Sequence, residues 1–96
     1  MPTRREEIER LLKERPFTPK QLADLFGAEI DEIVEDLGHV KLSVKHPFRF
    51  KFHPSQCRGC GFLFKDRPKL KTPSKCPECR SESIAEATFF IEREEK

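Results

Sequence analysis

The sequence predicts an α+β chain in which three helices precede a pair of strands, with a small four-cysteine module set between those strands. Three observations carry this. Two S/T-x-x-E/Q capping boxes head apolar-striped segments near the N-terminus. Phe48, Phe50 and Phe52 alternate with Arg49, Lys51 and His53, the period of a strand with one buried face. Four cysteines stand in two C-x2-C pairs.

Thr3 with Glu6 opens the first helix, Ile8, Leu11 and Leu12 give it one apolar stripe, and Pro16 stops it. Thr18 with Gln21 opens the second, with Pro19 at its first position. Leu22, Ala23, Leu25 and Phe26 form its buried side, and Gly27 ends it. The third starts within a residue or two of Ala28. Ile30, Ile33, Val34, Leu37, Val40 and Val44 carry the helical period through Gly38 to about Lys45. The competing reading stops this helix at Gly38 and places a strand over Val40 to Val44. Pro47 ends either version. The run from Ile84 to Arg93 reads as one or two strands, able to pair with the Phe48–His53 strand while the cysteine module projects from their ends.

Cys57, Cys60, Cys76 and Cys79 are the only cysteines. A C-x2-C turn presents two thiolates on one side, and two such turns supply four sulfurs to a tetrahedral ion. Glycines around the first pair give backbone freedom for a tight knuckle, and Pro77 sets a turn dihedral in the second. Zinc suits this donor set. Iron fits the same four-thiolate geometry, and two disulfides are a further alternative. With every ligand supplied by protein, the ion has no open position and its role is structural. Metal binding then supplies the folding free energy of an insert with little apolar area. His39, His46 and His53 are expected on the surface or in packing rather than as ligands.

With 96 residues there is room for one small domain and its insert, and an apolar content of 35% excludes a large core. Charged residues make up 38%. No run is apolar enough to span a membrane and no N-terminal stretch reads as a signal peptide, so the chain is expected in the cytoplasm. Asn is absent and Met occurs 1 time, which with the abundant charge points to a thermophile. No phosphate-binding glycine loop or nucleophile–base arrangement is present, and neither an enzyme nor a small-molecule substrate is expected.

Net charge is +2, but the charges are segregated. Glu29, Asp31, Glu32, Glu35 and Asp36 lie together at the start of the third helix with no base among them. Lys41, Lys45, Arg49 and Lys51 follow with no acid, and Arg58, Lys65, Arg67, Lys69, Lys71, Lys75 and Arg80 surround the cysteine module. These bases are candidate phosphate contacts. The acidic run is a candidate face for a basic protein partner. Phe62 and Phe64, beside the first cysteine pair, are expected to pack the module against the helical part; a stacking platform for single-stranded nucleic acid is the alternative.

Three helices with a short turn at Phe26-Gly27-Ala28, then a strand pair, resemble the winged helix-turn-helix order. Together with Cys57-Arg58-Gly59-Cys60-Gly61-Phe62, the chain resembles a family of archaeal predicted transcriptional regulators that join a winged helix to a rubredoxin-like zinc ribbon. The resemblance implies a three-helix winged body over 1–53 and 82–96, with a four-cysteine zinc ribbon at 54–81 inserted in the wing. It implies four zinc ligands at the cysteines and a transcription-related role. The acidic run departs from a working recognition helix, because its carboxylates would face one negative charge per about 1.7 Å of duplex. DNA contact is therefore expected through the ribbon and the adjacent basic stretch. The rival is a protein-interaction adaptor that binds no DNA, and a weaker one an iron-bearing electron carrier.

Overall fold

The computed structural model describes residues 3–64 and 73–94. Both capping boxes form. Thr3 Oγ1 accepts from the Glu6 N–H at 3.2 Å while Glu6 accepts from the Thr3 N–H at 3.3 Å, and α1 runs Arg4–Glu14. Thr18 and Gln21 exchange the same bonds at 3.1 and 2.9 Å, and α2 runs Pro19–Phe26. Gly27 closes α2 in the left-handed region at φ 60°, where a side chain would be strained. α3 runs Ile30–Ser43 straight through Gly38, so the apolar period prevails over the glycine and no strand forms at Val40–Val44. A turn containing the cis His46–Pro47 bond then leads into β1, Phe48–His53.

Between β1 and the last strand lie β2, Gln56–Cys57, and β3, Ile84–Ala85; β4 is Thr88–Arg93. β1 and β4 pair antiparallel from Phe48↔Arg93 to His53↔Thr88, and β2 pairs with β3 in a second small sheet. The cysteine module thus projects from the His53–Thr88 end of the first sheet. Phe17, in the loop after α1, makes an antiparallel bridge to β4, its N–H donating to Phe89 O at 3.0 Å and its carbonyl accepting from the Phe89 N–H at 2.8 Å. Nothing in the local pattern around Phe17 signals this third short strand, because a single bridging residue has no period.

Among the described residues, the buried apolar side chains form two separate clusters. Ile8 and Leu12 of α1, Leu22 and Ala23 of α2, Ile33, Leu37 and Val40 of α3, Phe17, and Phe89 and Ile91 of β4 form the first. Cys57, Cys76 and Ile84 form the second, covered by half-buried Phe62 and Phe64. These two rings meet edge to face at 5.0 Å. They therefore pack the module's own interior rather than joining it to the helices as expected. Ile84 of β3 also belongs to this second cluster. Among the described residues, no helix is long and apolar enough to cross a membrane.

Candidate metal centre and basic faces

The two C-x2-C turns are built alike. The Gly61 N–H donates to Cys57 O at 2.9 Å, and the Arg80 N–H to Cys76 O at 2.8 Å. Each first cysteine then donates its own N–H, Cys57 to Phe62 O and Cys76 to Ser81 O, both at 2.9 Å. The residue after each second cysteine is left-handed: Gly61 at φ 81° and Arg80 at φ 62°. The required glycine of the first knuckle is Gly61. Gly59 keeps an ordinary backbone, and a Cβ there would sit at van der Waals distance from Cys57 Sγ and Ser81.

This geometry converges the four sulfurs, which all lie within 4.8 Å of one another. Cys57 and Cys79 are 3.5 Å apart and Cys60 and Cys76 3.6 Å. A tetrahedral ion with bonds of about 2.3 Å needs sulfurs about 3.8 Å apart, so the donor set fits a metal ion. All four are free cysteines here, an arrangement that suits metal ligation. Backbone donors also prepare the site for negative charge. The Cys60 N–H, aided by the Cys79 thiol and the Gly59 N–H, outweighs burial and lowers the Cys57 thiol to about 6. At Cys60 the Phe62 N–H favours the thiolate, but burial and the neighbouring thiols win and push it up to about 12. Four sulfurs this close cannot all ionise without a cation among them, and a divalent ion removes that conflict. No histidine joins the cluster. His53 instead stacks on Phe90 at 4.9 Å, and His39 and His46 are exposed.

The predicted basic residues divide into several groups. Lys41 of α3 and Arg49 and Lys51 of β1 line one surface hollow of about 440 Å³ with Val44, His46, Phe48 and Phe50. Lys45 is exposed on the turn beside it. Arg58 lines a different hollow of about 340 Å³, with Lys20, Gln21 and Asp24 of α2 and Ala85 and Glu86. Lys75 and Arg80 are exposed on the second knuckle. Lys65, Arg67, Lys69 and Lys71 lie outside the described residues. Sequence reasoning missed that Arg49 pairs with Glu94 and that Lys51 pairs with Glu92 at 2.7 Å, across β1 and β4. The register supplies that pairing, and the only local sign of it was an acidic chain end opposite a basic strand.

The acidic face is also smaller than its sequence suggests. Asp36 is 3% exposed and accepts from Arg4 and Arg5 of α1, so it is no part of a docking surface. It lies on the side of α3 that packs against α1, one residue before Leu37. Burial pushes its carboxyl up, but the hydrogen bonds and charges of Arg4 and Arg5 outweigh this and hold it below the usual carboxylate range. Glu32 is exposed but meets Arg4 at 3.6 Å. Its carboxylate also accepts the Glu29 N–H at the helix start at 3.1 Å. Glu29, Asp31 and Glu35 are exposed.

The PF0610-like N-terminal family model matches residues 3–49, and the model of the PF0610 rubredoxin-like zinc beta-ribbon domain matches residues 54–94. The solution NMR structure of protein PF0610 from Pyrococcus furiosus is similar to this chain at a TM-score of 0.75, with 38% identity, over 95% of this chain and 90% of that one. Comparison with curated proteins gives no match.

Proposed function

This chain belongs to the PF0610 family, and from that premise we propose a transcription-related winged-helix protein, not an enzyme, that carries one structural zinc and binds duplex DNA through its α3–β1 basic hollow. One observation carries the DNA reading. Lys41, Arg49 and Lys51, from two elements, line the same hollow, which is the arrangement that neutralises neighbouring phosphates. The element order supports the winged-helix reading. α1, the Phe17 bridge, α2, a tight turn at Gly27, α3 and then the β1–β4 pair follow the order of that fold, with the ribbon inserted in the wing. The ribbon would supply rigidity, since four thiolates leave its ion no open position. The start of α3 stays away from DNA, because Asp31, Glu32 and Glu35 face outward there.

A DNA titration followed by amide chemical shifts tests this. Shifts are expected at Lys41, Lys45 and 48–51, with affinity falling about 40-fold between 50 and 200 mM salt if three phosphates are met. The absence of any shift at 50 mM salt would overturn it and favour the adaptor that uses the α3 face. Intact-mass measurement under native conditions reads the metal, and a red protein would replace zinc by iron.

A further inference from the structure

The two cations that β1 contributes to the basic hollow are already engaged. Lys51 Nζ lies 2.7 Å from Glu92, and Arg49 holds Glu94. The register places Glu92 directly across from Arg49, so each pair runs diagonally along one side of the β1–β4 sheet. All four side chains are between 42% and 60% exposed. Exposed pairs of this kind are weak and exchange readily. They also present carboxylate oxygens where a nucleic-acid backbone would present phosphate oxygens, to the same two donors. Lys41, on α3, shows no such pair among the described residues.

We infer that Glu92 and Glu94 are resident competitors that set the selectivity of the hollow, so that only a ligand offering several adjacent phosphates displaces them and an isolated phosphate does not. This rests on the DNA reading above and deepens it. A single phosphate gains one cation and releases one carboxylate into water, for little net change. A polyphosphate backbone engages Lys41 as well and releases its condensed counterions, which a lone phosphate lacks. The carboxylates therefore act as a threshold on charge density.

The test compares the wild-type chain with Glu92→Gln/Glu94→Gln, and with Glu7→Gln/Glu14→Gln on α1, whose acids pair with Arg10 away from the hollow, as a control of equal charge change. Each is titrated with a 20-base-pair duplex and, separately, with inorganic phosphate. The β4 double variant should bind the duplex roughly fivefold more tightly at 50 mM salt, with a steeper salt dependence, and should gain measurable phosphate binding at Arg49 and Lys51. The α1 control should change affinity less than twofold. Equal gains in both double variants would reduce the effect to net charge and overturn the inference while leaving the DNA reading in place. So would an unchanged affinity in the β4 variant. Failure of all three proteins to bind the duplex would overturn the DNA reading, and the inference with it. Thermal melting of each variant checks that the β1–β4 pairing survives.

Discussion

The helical body and the ribbon occupy one short chain but are held by different forces. The body buries aliphatic and aromatic side chains from three helices and β4, each fully buried one contributing about 1.5–3 kcal/mol. Among the described residues, the ribbon's buried apolar cluster is Cys57, Cys76 and Ile84 under two phenylalanines. The ribbon's strand pair β2–β3, matched at Gln56↔Ala85 and Cys57↔Ile84, could not persist alone in water. A metal ion held by the four cysteines would join two turns distant in sequence and supply the stability that so small a buried cluster lacks. The body should therefore respond to changes of packing and buried charge, and the ribbon to changes of ligand and backbone conformation.

Breaking the ribbon tests this contrast most severely. Chelation of the metal, or Cys76→Ser, should unfold the β2–β3 pair and the two cysteine turns and leave α1, α2 and α3 in place. Heteronuclear NMR would show ribbon amides collapsing while helical signals persist. A single transition that loses both would show one cooperative unit and erase the distinction. If the proposed zinc occupies the site the expected loss is large, because a structural zinc contributes an apparent 10–16 kcal/mol, about the whole stability of a small domain.

The body's weak point is Asp36. Arg4→Gln with Arg5→Gln strands a buried carboxylate and should lower stability by about 3 kcal/mol, the low end for a broken buried pair, because both guanidiniums are partly exposed. The pH dependence has a definite sign. The folded Asp36 carboxyl lies below its unfolded value of about 3.9, so its stabilisation is complete above that pH. It is lost as pH falls through the lower folded value. Urea melts from pH 6 to 2 should show this acid-side loss, and Asp36→Asn should remove it. The ribbon should not be affected by this network, since the residues involved lie on α1 and α3.

Smaller effects come from backbone conformation and separate the regions again. Gly61→Ala, at φ 81°, should lower ribbon stability by about 1 kcal/mol, whereas Gly59→Ala should be tolerated. Arg80→Gly, at φ 62°, should raise it by about 1 kcal/mol. In the body, Gly38→Ala should add about 0.5–1 kcal/mol, since α3 is regular there and a Cβ meets nothing within 4 Å. Denaturant midpoints, read from helical and ribbon signals separately, check all four.

Much of this molecule could be read along the chain because the relevant physics is local. Thr3, Glu6, Thr18 and Gln21 start helices through bonds three residues long. The Phe48, Phe50 and Phe52 alternation marks β1 by its own period. The two C-x2-C turns announce four ligands, because each turn needs only its own residues to aim two sulfurs. What stayed hidden depends on partners far away in sequence. Asp36 looks like one more surface acid until α1 packs on α3 and brings Arg4 and Arg5 against it. Phe17 joins a sheet only because β4 returns beside it. Arg49 and Lys51 look like unencumbered cations until the β1–β4 register sets Glu94 and Glu92 beside them. Charge in a sequence is additive, but the charge a surface offers is what remains after long-range pairing, and only the packed chain decides that.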